Sequence, residues 1–161
     1  MLLDQDIANQ YLLQGHPQDV TTVIVFNDTV INANELERWT VTGNDPQALR
    51  GLYRQIEALN ANGGTNIFDS TRVALQYLAG TRTQDCLPAV ILMTDGQDTV
   101  GNQAALNQYI QSNENDIPVF AITFGAADDT QLTPITTQTY GRIFRGSEDL
   151  IKAFREAKGY N

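Results

Sequence analysis

Three stretches of this chain are continuously apolar and rich in β-branched residues: 21–26 (TTVIVF), 88–94 (PAVILMT) and 117–124 (IPVFAITF). Runs without polar alternation predict strands buried on both faces, and so a parallel sheet flanked by helices. Between them the apolar spacing changes to the helical period. Residues 45–59 place Leu49, Leu52, Tyr53, Ile56 and Leu59 on one side, and 67–78 place Phe68, Leu75 and Leu78 likewise. Asp45-Pro46 is a helix start, with an Asp cap and Pro at the first helical position. Helices are also expected over 102–112 and 147–157. The strict alternation over 35–42 predicts a half-exposed edge strand, entered by a hairpin near 32–34, and 141–145 reads as a short last strand.

Residues 2–13 pattern as a helix with Ile7 and Tyr11 on one side, ended by Gly15, His16 and Pro17. A parallel α/β fold normally opens on a strand, so the expectation is that a strand lies upstream. No repeat or linker divides the sequence, and residues 1–161 are expected to form a single domain. The fold class predicted is α/β, doubly wound and Rossmann-like.

Charge narrows the partners. Ten Lys plus Arg against 19 Asp plus Glu give a formal net charge of -9, which disfavours nucleic acid and anionic lipid. An acidic surface suits divalent cations or basic partner surfaces, although solubility alone accounts for most acidic proteins. The apolar run at 88–93 is far shorter than the roughly 20 residues that span a bilayer, and the acidic start is unlike a signal peptide. The single cysteine, Cys86, excludes an internal disulfide; next to an apolar run it is expected to pack.

Two motifs carry chemistry. Gly63-Gly64-Thr65-Asn66 opens the helix at 67: glycines let backbone approach closely, and the hydroxyl either caps the helix or faces a ligand. Taken alone, such a turn is a helix cap in most proteins. Thr94-Asp95-Gly96 closes the most apolar strand. In open parallel sheets the ligand crevice lies outside the carboxyl ends of the strands, so Asp95 is placed for a ligand or cation, or else for a turn that bonds its own backbone.

In order and spacing these motifs resemble the von Willebrand factor type A family and its metal-ion-dependent adhesion site. VIVFND (23–28) looks like the family's second strand, GGTNIFDSTRVAL (63–75) its threonine loop and helix, AVILMTDG (89–96) its fourth strand with the aspartate, and VFAITFG (119–125) its fifth. The last residues, 147–161, are similar to the end of bacterial proteins that join a periplasmic solute-binding region to this domain, which implies an extracytoplasmic or cell-surface location. The resemblance assigns Thr65 as the metal-coordinating hydroxyl and Asp95 as the acidic ligand of Mg²⁺, or of Mn²⁺ or Ca²⁺. It also implies a protein partner whose acidic group completes the metal shell. The family's other ligands sit on an Asp-x-Ser-x-Ser loop after its first strand, and no such segment occurs here. Mg²⁺ is therefore expected to bind weakly or not at all to this chain. Asp98, Asp69 and Asn66 match no ligand position, and Asp69 is expected to support the first turn of its helix.

With the family strand order 3-2-1-4-5-6, the missing strand belongs in the sheet centre, between 21–26 and 88–94. Its loss exposes two interior edges, at about 1 to 3 kcal/mol per buried unpaired group. Direct pairing of the flanking strands, or a homodimer through those edges, is expected in place of an open gap. The leading functional expectation is a non-enzymatic interaction or adhesion module. A scaffold with a degenerate site is the second. A metal-assisted hydrolase or nucleotide-binding enzyme using Asp95 and Asp98 is the third, disfavoured because no dinucleotide or phosphate-loop glycine motif and no nucleophile elbow occurs. His16, in a turn at a strand's amino end, is not expected to be catalytic.

Overall fold

The computed structural model describes residues 15–113, 115–125, 127–146, 152, 154 and 155. The helix expected over 2–13 and nearly all of that over 147–157 lie outside these residues. The chain forms two compact units, residues 1–25 with 31–62, and residues 26–30 with 63–161.

In the first unit, β1 (Val20–Thr22) pairs antiparallel with β2 (Thr40–Thr42), Thr21 facing Val41. A 3-10 turn (Leu36–Trp39) leads into β2, and α1 (Pro46–Glu57) follows. Asp45 starts α1 by accepting a hydrogen bond from the Ala48 N–H at 2.8 Å, ahead of Pro46. Leu49 and Leu52 are buried against Val23, Trp39, Val41 and Ile56, whereas Tyr53 and Leu59, expected on the same face, remain more than a third exposed, at 39% and 38%.

Two expectations are corrected in this unit. The run 21–26 is not a buried parallel strand: only Val20–Thr22 is strand, and its partner is antiparallel. Beyond it the Val23 N–H still bonds the Trp39 carbonyl and the Val25 carbonyl accepts from the Ile31 N–H, and a side chain satisfies further groups. Asn32, 1% exposed, accepts from the Val25 N–H and donates to the Val23 carbonyl, both at 2.9 Å. One carboxamide thus does for these residues what a neighbouring strand would do. Likewise, only the second half of 35–42 is strand, because the Arg38 N–H bonds the Glu35 carbonyl and Thr40 Oγ1 bonds the Leu36 carbonyl, coiling the first half.

The second unit is an α/β layer. A parallel three-stranded sheet runs in the order β3 (Val90–Thr94), β4 (Val119–Thr123), β5 (Ile143–Arg145). Helices α2 (Ile67–Thr81), α3 (Gln103–Ser112) and α4 (Asp129–Gln138) alternate with the strands. Val90, Leu92, Val119 and Ala121 join Phe68, Leu75, Leu106, Ile110, Leu132 and Ile135 in one core. Burying such side chains, each stabilising by about 1.5 to 3 kcal/mol, is what fixes the layer. The α/β, Rossmann-like class predicted from the apolar runs is the class observed. Helix α4 matches no predicted element.

Among the described residues β1 pairs with β2, and β3 with β4. Cys86 is exposed rather than packed, and the adjacent Leu87 is fully exposed, since both precede the point at which the apolar run becomes strand. Among the described residues no helix is long and apolar enough to cross a membrane.

Candidate functional site

The two predicted motifs meet beyond the carboxyl end of β3. Thr94 closes the strand with a tight turn, its Oγ1 accepting from the Gly96 N–H at 3.3 Å, and this leaves Asp95 at the exposed tip. The Gly63-Gly64 turn comes alongside. A methyl group on Gly96 would stand 3.4 Å from Thr65 Oγ1, so the Thr65 hydroxyl lies against the Asp95–Gly96 turn.

The two loops are stitched together by backbone. The Thr99 N–H donates to the Thr65 carbonyl at 2.8 Å, and the Thr65 N–H donates to Thr99 Oγ1 at 3.0 Å. A third segment, 27–28, joins them: Asp28 Oδ1 accepts from the Gly64 N–H at 2.6 Å, and Asn66 Nδ2 donates to the Asp28 carbonyl at 3.1 Å. This crowding explains the glycines. A Cβ on Gly64 would fall 2.5 Å from Thr99 Oγ1 and 2.6 Å from Asp28 Oδ1, and Gly63 has φ +78.

The cap of α2 is Asn66, not Thr65: Asn66 Oδ1 accepts from the Asp69 N–H at 3.1 Å. Asp69 sits in the first turn as expected, paired with Arg72 at 3.1 Å. Asp98 accepts at Oδ2 from the Ile67 and Phe68 N–H groups, at 2.6 and 3.1 Å, and at Oδ1 from the Gly101 N–H at 2.7 Å. Nearly every polar group around the site is therefore committed to holding it together. Thr65 Oγ1 and the Asp95 carboxylate are among the exceptions, with no hydrogen bond or ion pair among the described residues.

In kind, a hydroxyl and a carboxylate fit a hard divalent cation, which takes oxygen donors and keeps several waters. In number they fall short of a closed shell, and no group of three or more His, Cys, Asp or Glu side chains gathers for a metal among the described residues. Residues 27–28, 63–69 and 95–101 hold Asp28, Asp69, Asp95 and Asp98; with Asp69 paired to Arg72, the other three give the site an acidic rim. His16 stands in a turn of the first unit, where its Nδ1 accepts from the Gln18 N–H.

The profile of the von Willebrand factor type A domain matches residues 6–154. The chain belongs to this family. Its fold is similar to that of a solved structure, von Willebrand factor type A from Catenulispora acidiphila, with a TM-score of 0.73 and 22% identity. That similarity covers 98% of this chain and 37% of the neighbour, so the chain spans little more than a third of the neighbour's length. A search among curated proteins found no match. Von Willebrand factor type A domains are generally protein-interaction modules, and they commonly bind divalent metal ions.

Sequence reasoning singled out Thr65 and Asp95, and the structure brings their loops together. It missed the stitching residues Asp28 and Thr99, and Gln131, which accepts from the Asp98 N–H at 2.7 Å. For Asp98 a signal was present: an Asp three residues before Gly101 is an Asx-type turn, and its second oxygen remains available to another loop.

Proposed function

We propose that this domain is a non-enzymatic interaction module that presents the Thr65 hydroxyl and the Asp95 carboxylate to a divalent cation, Mg²⁺ foremost. Through that cation it engages an acidic group on a protein partner, in the manner of adhesion domains. The observation that carries the reading is the contrast in commitment. Asp28, Asn66 and Asp98 are spent on internal bonds, while the hydroxyl and the carboxylate that the family pattern assigns to the metal are free of partners among the described residues. The acidic rim adds attraction for a cation and repels an acidic partner until a cation is present.

Because two protein oxygens make a weak site, this chain alone is expected to bind Mg²⁺ in the millimolar range. At a concentration near Kd the stabilisation is about 0.4 kcal/mol, a thermal shift of about 1–2 °C. A titration followed by nuclear magnetic resonance is expected to move the Thr65, Asp95 and Gly96 amides first, an effect abolished in Thr65→Ala and Asp95→Ala. Shifts spread evenly over exposed carboxylates, or unchanged by these substitutions, would refute the site. Micromolar binding with a large thermal shift would refute its incompleteness.

A further inference from the structure

We infer that Asp98, clamped by Gln131, is the positioning residue of this site: it fixes where the Thr65 hydroxyl stands against the Asp95–Gly96 turn. The inference rests on the reading of Thr65 and Asp95 as the oxygen donors.

Helix α2 already has a local cap in Asn66, which serves the Asp69 N–H. The Ile67 and Phe68 amides lie immediately after the Thr65-Asn66 pair and take a different acceptor, the Asp98 carboxylate, thirty or more residues away in sequence. Asp98 is three residues beyond Asp95. Its carboxylate therefore ties the backbone that carries one donor to the loop that carries the other. The Asn66 cap leaves the Ile67 and Phe68 N–H groups without an intrahelical acceptor, and it is a residue of the other loop, not of the helix or its flank, that supplies it.

Asp98 is itself held from a third element. Gln131, in the first turns of α4, accepts from the Asp98 N–H at 2.7 Å and donates to the Asp98 carbonyl at 3.4 Å. Its carboxamide grips the main chain of Asp98 and leaves the carboxylate for α2. Helix α4 is anchored by Leu132 and Ile135, which are 0% and 1% exposed. The path from the core to the site therefore runs α4, Gln131, Asp98, start of α2, Thr65. Residues that orient a metal's ligands without touching the metal commonly change affinity about 10- to 100-fold when lost.

The test is Gln131→Met, which keeps the side chain's length, removes both bonds and leaves Thr65, Asp95 and Asp98 in place. In the full chain, Mn²⁺-induced broadening of the Thr65, Asp95 and Gly96 amide resonances gives a site-specific apparent Kd. The expected result is a rise of about 10-fold in Gln131→Met, with the thermal midpoint matching that of the exposed α4 variant Thr133→Ala. Gln131→Glu, which retains the acceptor for the Asp98 N–H, is expected to recover most of the affinity. Unchanged Mn²⁺ affinity in Gln131→Met, or no recovery in Gln131→Glu, overturns the inference. If the unsubstituted chain shows no localised broadening up to about 20 mM Mn²⁺, well beyond weak protein sites, the proposed function falls. The positioning role is then decided by amide hydrogen exchange. Exchange at Ile67 and Phe68 faster by about 10-fold in Gln131→Met supports it, and unchanged exchange overturns it.

Discussion

Replacing Gly141 by Ala tests the packing that places α4 beside the sheet. Gly141 follows the turn after α4, and a Cβ there would lie 2.5 Å from the Val119 carbonyl carbon and 3.1 Å from the Val119 nitrogen, with the carbonyl oxygen nearer still. The obstacle is backbone of the central strand, so it has no rotamer by which to yield. Restoring ordinary contact requires a displacement of about 1.5 Å between the turn and β4. Two bonds span that gap and would be stretched: the Val119 N–H to Thr139 Oγ1 at 3.1 Å and the Ala121 N–H to the Arg142 carbonyl at 2.9 Å. Overpacking costs about 1–3 kcal/mol and each strained bond about 1 kcal/mol, giving a loss of about 3–5 kcal/mol. At about 2–4 °C per kcal/mol for a chain of this size, the melting midpoint falls by roughly 6–20 °C. Circular dichroism followed through thermal and urea unfolding measures both. A midpoint within about 2 °C of the unsubstituted chain would show that the turn shifts freely, and the close-approach argument would be wrong.

The same substitution has the opposite sign where space is open. Gly51 in α1 and Gly80 in α2 have no atom within 4 Å of a new Cβ; Gly51→Ala is expected to stabilise by about 0.5–1 kcal/mol, and Gly80→Ala, one residue from its helix end, by less, both read as urea midpoints. Asn66→Ala removes the α2 cap and the bond to the Asp28 carbonyl; a loss of about 1–2 kcal/mol is expected in urea unfolding, and a neutral result would contradict the capping geometry. Leu132→Ala empties a fully buried position and is expected to cost about 2–5 kcal/mol, measured the same way. Asp128 caps α4, and its carboxyl is held below the ordinary range by the Thr130 hydroxyl and then by the Thr130 N–H. A depressed folded pKa gives stability that is complete above the unfolded value near pH 4 and lost as pH falls through the folded value. Asp128→Asn is therefore expected to flatten the pH dependence of the urea midpoint between about pH 4 and pH 2; an unchanged slope would count against the cap's charge.

The parts of this fold that announce themselves in sequence are those in which burial and backbone agree. Residues 90–94 and 119–123 are apolar at nearly every position and lie within a parallel sheet. The start of α1 is legible because Asp45-Pro46 is both cap and first turn. Residues 23–25 mislead because Asn32, seven residues on from Val25, takes the place of the strand that an apolar run implies. Helix α4 is hidden by composition: Pro134 and four threonines leave Leu132 and Ile135 as its only buried apolar anchors. At the site, Thr65 and Asp95 are legible through the family pattern. The choice of Asn66 over Thr65 as cap is a local one between adjacent polar residues, whereas the reach of Asp98 and Gln131 between loops depends on pairings of residues about 30 positions apart.

Each strand also has a history as well as a place. β2 pairs with β1, β4 with β3 and β5 with β4, so within each sheet every described strand after the first adds to the one synthesised immediately before it. Val90 meets Val119 and Ala121 meets Ile143, which closes each parallel ladder over about 20–30 residues and keeps the entropy of loop closure modest. A nascent chain emerging from the ribosome can therefore lay down both sheets in order of synthesis, without waiting for a distant partner.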